Sequence, residues 1–174
     1  MVALCTGAYR LSKRMTQQMM HEVVDIPLRV GTISQLERAT TAALGAPVEE
    51  ARAYVQTQGV AHLDESSWRQ GHQPAWLWIA VTAWVTVFVV RLSRGGHVAR
   101  ELLGQTFAGI LVTDRYSAYN WYPVRWRQLC WAHVLRDFAA MQDRGGDSQA
   151  LGDALLRQAY QMFTWWHRVR EGTL

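Results

Sequence analysis

At 174 residues, 49% hydrophobic and 18% charged, the chain can bury a sizeable core, which excludes an intrinsically disordered protein. Its formal net charge of +4 comes almost wholly from arginine, Lys13 being the only lysine, so phosphate-bearing partners are favoured; an arginine-rich codon bias would leave the same mark. Two cysteines, Cys5 and Cys130, exclude a disulfide scaffold and fit a reducing compartment.

The opening stretch MVALCTGAYRLSKR has too short an apolar part for a signal peptide. Next, SKRMTQQMMHEV carries Met15, Met19 and Val23 at i, i+4 and i+8, one face of a helix. DIPLRVG breaks that pattern with Pro27 and Gly31. TISQLERATTAAL restarts it, with Thr32 and Gln35 at capping-box spacing and Ile33, Leu36 and Ala43 along one side. GAPVEEARAYVQTQG predicts a third helix, with Pro47 in its first turn, Glu49 and Glu50 at the positive end of its dipole and Gly59 as terminator. Residues 1–58 are therefore expected to be a helical lead-in segment, either a helix-turn-helix-like DNA-binding unit or a plain linker bundle. The break between the first two helices exceeds the roughly 3–4-residue turn of the former motif.

From Gly59 the texture is that of strands, expected near 60–64, 75–82 and 85–91. The run AWLWIAVTAWVTVFVV, residues 75–90, is uncharged but shorter than the ~20 residues of a spanning helix, so no membrane partner is expected. Its Val, Ile, Thr and Trp content reads instead as two buried strands. Trp76, Trp78 and Ala80 alternate with Leu77, Ile79 and Val81, so both faces are apolar, as in a central strand. LSRGGH then makes a Gly-Gly turn before a helix at 97–103, strands follow at 109–113 and 127–131, and a helix begins at Ala132. That helix carries Val134, Leu135, Phe138 and Met141 on one face, and a longer one carries Leu155, Ala159, Met162 and Trp166.

Three meandering strands, a helix, then strand-helix-strand-helix is the order of a ribonuclease H-like (retroviral-integrase-type) α/β fold: a mixed sheet with flanking helices, here preceded by a small helical segment. In that fold the first strand is central and the strand after the first helix lies parallel beside it. GVAHLDESSW ends the first strand with Asp64, and GILVTDRYSAYNW ends its neighbour with Asp114. Carboxylates converging there would hold Mg²⁺, with Mn²⁺ as a substitute, because these hard ions take oxygen ligands and keep positions for phosphate oxygens. Two-ion centres of this kind support in-line phosphoryl displacement.

In order along the chain, AHLDESSWRQGHQPAWLWIAVT, SRGGHVARELLG, GILVTDRYSAYNW and RQLCWAHVLRDF resemble the catalytic core of bacterial transposases of insertion-sequence family sixty-six, members of the DDE group. Upstream, CTGAYRLSKRMTQQMMHEV and GTISQLERATTAALGAPVEEA resemble that family's helical lead-in, so the similarity covers nearly the whole chain. The resemblance implies Mg-dependent hydrolysis at transposon ends followed by strand transfer from the freed 3′-hydroxyl. It implies that Asp64 and Asp114 are the first two acids of the catalytic triad and metal ligands. The implied partners are DNA, as transposon ends and target, and full-length transposase or other element-encoded proteins, in a cytoplasmic, nucleoid-associated setting. The family's third acid, a glutamate, lies well downstream in a later helix, and Glu171 matches no motif for it. Residues 59–174 are accordingly expected to be a partial core, truncated before the third acid and inactive as a fragment. The alternatives are a non-enzymatic DNA-binding remnant that interferes with full-length transposase, and a nuclease served by a local third acid.

Among local acids, Asp137 lies opposite Val134, Phe138 and Met141, so it faces solvent or pairs with an arginine. Strand alternation sends Glu65 to the face opposite Asp64, toward a salt bridge or turn contact. His62 points the same way as Asp64, either supporting the site or simply buried. Cys130 and His133 have half of a zinc spacing without a second pair, which favours a packed cysteine and a helix-capping histidine. Residues 115–136 interleave Arg115, Arg125, Arg127 and Arg136 with Tyr116, Tyr119, Trp121, Tyr122 and Trp126. Arginines neutralise phosphates and aromatic rings stack on bases. Arg115, Arg125 and Arg127, with Arg94 from the Gly-Gly turn, are the expected nucleic-acid contacts, while Trp121 and Tyr122 either stack on bases or cap the core.

Overall fold

Alternating β-branched and aromatic residues after Gly59 form an antiparallel meander of β1 (Val60–Gln70), β2 (Gln73–Val81) and β3 (Thr86–Arg91). The run at 75–90 is thus divided between two strands, and no helix of the chain is long and apolar enough to cross a membrane. Gly71, at φ +62°, supplies the left-handed residue of the two-residue turn beyond the Gln70–Gln73 pair. α3 (Gly96–Leu103) leads to β4 (Ile110–Thr113), which pairs parallel with β1, and β5 (Arg127–Leu129) pairs parallel with β4. The sheet order is β3-β2-β1-β4-β5, a mixed sheet with β1 at its centre, compatible with a ribonuclease H-like fold. α4 (Trp131–Gln142) and α5 (Gly146–Arg170) follow as a helical hairpin.

β1 does not end at Asp64. It continues to Gln70, paired throughout with β2, while its other neighbour β4 stops at Thr113. The polar sequence SSWRQ, which reads as loop, is a two-stranded arm exposed on both faces; its backbone groups are satisfied across the ladder, so its side chains need no core.

The two faces of the sheet differ in burial. Leu63, Glu65, Trp78 and Ala80 share one face and are buried. α3 contributes buried Val98, Ala99, Leu102 and Leu103 to the core, and the 3₁₀ turn Ser117–Tyr119 sets the Tyr119 ring edge-on to Trp78 with centroids 6.2 Å apart. The opposite face carries His62, Asp64, Ile79, Val81 and Val112, and the start of α4 meets it through Cys130 and His133. The chain packs tightly where α3 begins, since a Cβ on Gly96 would lie 2.3 Å from the Ala118 carbonyl oxygen.

The structure, a computed structural model, describes residues 1–174 and divides into two compact units, Met1–Ala53 and Tyr54–Leu174; the sheet belongs to the second. The first begins with a π-helical turn (Leu4–Ala8) and α1 (Lys13–Glu22), whose Ser12 hydroxyl caps it by accepting the Met15 N–H at 3.1 Å. On α1 the buried positions are Thr16 and Met20, one residue round from the expected Met15, Met19 and Val23 stripe, because Met20 packs with Val2 and Ile33. Two helices were expected over residues 32–59, yet a single 27-residue helix, α2 (Val30–Gln56), covers the span, with Thr32 inside it and Pro47 in its interior. Pro47 forfeits one backbone hydrogen bond, worth with its steric clash about 3 kcal/mol. The Ala, Leu, Glu, Arg and Gln residues around it favour helix enough to offset that cost. Leu36 and Ala43 are exposed, and Ile33 alone of the expected stripe is buried.

These glycines give opposite expectations. Gly45 has open space where a Cβ would go and lies inside α2, so Gly45→Ala should stabilise by about 0.5–1 kcal/mol. Gly96→Ala must push backbone apart and should destabilise by about 1–3 kcal/mol. Thermal unfolding of the two variants against the parent chain checks both signs.

Candidate functional site

The ladder between β1 and β4 leads toward Asp64 and Asp114. β1 and β4 pair Val60 with Ile110, Ala61 with Leu111 and His62 with Val112. The ladder ends before Asp114, since β4 stops at Thr113; only the same offset carried two residues further would bring Asp114 level with Asp64. Asp64 is 57% exposed and Asp114 half-buried, so both are open to a ligand from solvent. Each uses one oxygen locally: Asp64 Oδ1 accepts its neighbour Glu65 N–H at 2.9 Å, and Asp114 Oδ1 accepts Tyr116 N–H at 2.9 Å. The remaining oxygens fit a hard divalent cation in kind and charge. No group of three or more His, Cys, Asp or Glu side chains that could hold a metal ion converges there.

The acids line adjoining cavities. One of about 170 Å³ is bounded by Asp114, Arg115, Cys130, His133 and Asp137, and one of about 230 Å³ by His62, Asp64, Ile79, Cys130 and His133. His133 is the shared wall. Its Nε2 lies 3.9 Å from Asp64 Oδ2, and its buried Nδ1 has no partner. The expected helix-capping role is therefore corrected: Cys130 is the N-cap residue of α4, without a side-chain cap bond, and the first turn aims His133 at Asp64. His62 is exposed rather than buried, because it sits on the open face of β1 with Asp64.

The four arginines expected to contact nucleic acid divide by their partners. Arg94 donates from Nε to Glu65 at 2.9 Å, with its guanidinium 4.6 Å from the Trp76 ring centre and 4.0 Å from that of Tyr116. Arg115 is paired with Asp137, which settles the open choice for that acid in favour of an arginine partner. Arg127 donates to Thr113 Oγ1 at 3.2 Å, Asn120 Oδ1 at 3.0 Å and the Asp114 carbonyl at 2.9 Å, tying β5 to the segment that carries the second acid. Arg125 is exposed and makes no ion pair; beside it Trp126 is 46% exposed. The aromatics divide in the same way. Tyr122 is buried and donates its hydroxyl to the Gly109 carbonyl, while Trp121 packs edge-on to Tyr122 under Arg100, so both cap the core.

Glu65 was legible as facing away from Asp64, and the structure gives it more to do. Its side chain is 1% exposed and accepts hydrogen bonds from Arg94 and from the Tyr119 hydroxyl. Burial pushes this carboxyl above its ordinary range, outweighing the opposing pull of Tyr119 and Arg94. The Tyr119 hydroxyl is pushed far above the usual phenol range, first by burial and then by its bond to Glu65.

A mixed sheet of this order, with β1 at its centre and helices flanking it, defines an α/β protein compatible with the ribonuclease H-like class. The Transposase IS66 family model matches residues 8–172, and the chain belongs to that family. Comparison with curated proteins gives no match. Family membership makes transposition of an insertion sequence the process served and DNA the implied partner, and the DDE group uses divalent metal ions.

The division of the arginines is checkable by stability alone. Arg127→Ala removes three hydrogen bonds around Asp114 and should cost about 1–3 kcal/mol. Arg125→Ala should stay within about 0.5 kcal/mol of the parent chain. Urea unfolding of both variants measures the difference.

Proposed function

We propose that Asp64 and Asp114 hold a divalent cation, Mg²⁺ or in its place Mn²⁺, for phosphodiester hydrolysis at insertion-sequence ends and for strand transfer. The observation that supports this reading is the parallel pairing of β1, which carries Asp64, with β4, which Asp114 directly follows. When bound, such an ion activates an attacking oxygen and offsets charge on the leaving oxygen. The chain's own residues prepare that chemistry. Asp64 and Asp114 each anchor one oxygen to a backbone N–H and leave the other free. Arg127 and Thr113 fix the carbonyl of Asp114, which limits rotation of the segment bearing the acid. Arg125 and Trp126, outward and adjacent, offer a phosphate contact and a stacking ring to DNA.

Asp137 is engaged with Arg115, which supports a site of two acids rather than three. Two carboxylates leave a two-ion centre short of charge, so metal affinity is weak and these 174 residues neither nick nor join DNA alone. The interfering DNA-binding reading follows if DNA is bound but never cut. In calorimetry with Mn²⁺, weak binding should disappear in Asp64→Ala and in Asp114→Ala, whereas unchanged binding in Asp64→Ala would move the metal elsewhere. Binding of DNA should fall steeply with salt, and Arg125→Ala should weaken it about equally for all sequences, lowering the salt slope by about one. A salt-insensitive complex contradicts this surface. Cleavage by the chain itself, abolished in Asp114→Ala, contradicts the two-acid account.

A further inference from the structure

We propose that Glu65 is a positioning residue of the metal centre, holding the Asp114 segment in register with Asp64; the inference rests on the metal-centre reading above. Glu65 follows Asp64 directly on β1 but projects through the opposite face of the sheet. From there two routes lead to Asp114. In one, Glu65 binds Arg94 at 2.9 Å, Arg94 lies 4.0 Å from the Tyr116 ring centre, and Tyr116 N–H donates to Asp114 Oδ1 at 2.9 Å. In the other, Glu65 accepts the Tyr119 hydroxyl, which pins the 3₁₀ turn Ser117–Tyr119 just past Asp114. The Tyr119 ring is itself held edge-on against Trp78, the cross-strand partner of Glu65.

β4 ends at Thr113, so no strand ladder holds Asp114 or the five residues after it. Their placement draws on side chains, and Glu65 on β1 reaches that segment by two routes, directly through Tyr119 and indirectly through Arg94 to the Tyr116 ring. A carboxylate this buried is a poor choice for stability alone, since an apolar residue of similar volume would serve as well or better. It is too enclosed to meet DNA. What a buried acid supplies here is direction: it accepts two donors at fixed angles, and one of them carries the ring stacked beside the Asp114 turn. Arg94, expected from sequence to meet phosphate, thereby has its guanidinium committed to Glu65 and the two rings.

The test uses the full 174-residue chain with Glu65→Gln, Tyr119→Phe and, as a stability control away from the acids, Val98→Ala. Amide hydrogen exchange is read first, without metal. Tyr116 N–H should exchange roughly tenfold faster in Glu65→Gln and measurably faster in Tyr119→Phe, and unchanged in Val98→Ala under conditions where every variant is folded. Mn²⁺ affinity, measured well below each unfolding midpoint, should fall about 10- to 100-fold in Glu65→Gln, as for other residues that orient metal ligands, and stay at the parent value in Val98→Ala. Unchanged Tyr116 exchange in both network variants overturns the inference whatever the metal does. Faster exchange with parent-like Mn²⁺ affinity also overturns it, reducing the network to a stabilising contact. Parent-like Mn²⁺ binding in Asp64→Ala instead defeats the metal-centre reading, while Tyr116 exchange still decides whether Glu65 holds the Asp114 turn.

Discussion

Three residue pairs of parallel ladder, Val60–Ile110, Ala61–Leu111 and His62–Val112, set the register of β1 against β4 on which the proposed pairing of Asp64 with Asp114 depends. Side chains alternate along a strand, so a slip of one residue between β1 and β4 would send Asp114 through the sheet, away from Asp64. The register is protected by burial. Ala61, Leu63 and Leu111 are 0%, 3% and 0% exposed on the covered face, and a slip would turn them out to water. The face bearing Asp64 is thus specified from behind: apolar contacts on the face turned to α3 hold polar groups in place on the other.

Past the ladder, control passes from backbone to side chains. The segment Asp114–Tyr122 is gripped by Arg127 from β5, by Glu65 and Arg94 from the other side, and by Tyr122 through the Gly109 carbonyl. Guanidinium groups that look like phosphate ligands in a list of residues are here the internal ties of the site. Arg125 and Trp126 remain outward beside these ties, and the Arg115–Asp137 pair lies at the surface.

How much of this was legible in the sequence follows from the range of each interaction. That the strand carrying Asp64 and the strand preceding Asp114 are parallel neighbours could be read because each acid interrupts an apolar strand pattern, a local signal, and the order of elements then paired the strands. The extension of β1 to Gln70 was missed because a solvated hairpin arm and a loop share the same polar residues, and only pairing with β2 distinguishes them. α2 was divided in two because Gly45 and Pro47 resemble a stop, whereas helix propensity summed over 27 residues outweighs one missing hydrogen bond. The roles of Arg94 and Arg115 were beyond reach: their acids lie 29 and 22 residues away, and no spacing rule links them. His133 carried half a signal, its spacing from Cys130, but its direction toward Asp64 depends on how α4 meets the sheet.

The central claim is that two aspartates from neighbouring parallel strands form one metal centre. Anomalous diffraction from a crystal of the chain grown with Mn²⁺ tests it most directly. The account predicts an anomalous peak within ligand distance of carboxylate oxygens from both Asp64 and Asp114. A peak held by other residues, or by one of these aspartates with the other turned away, would contradict it.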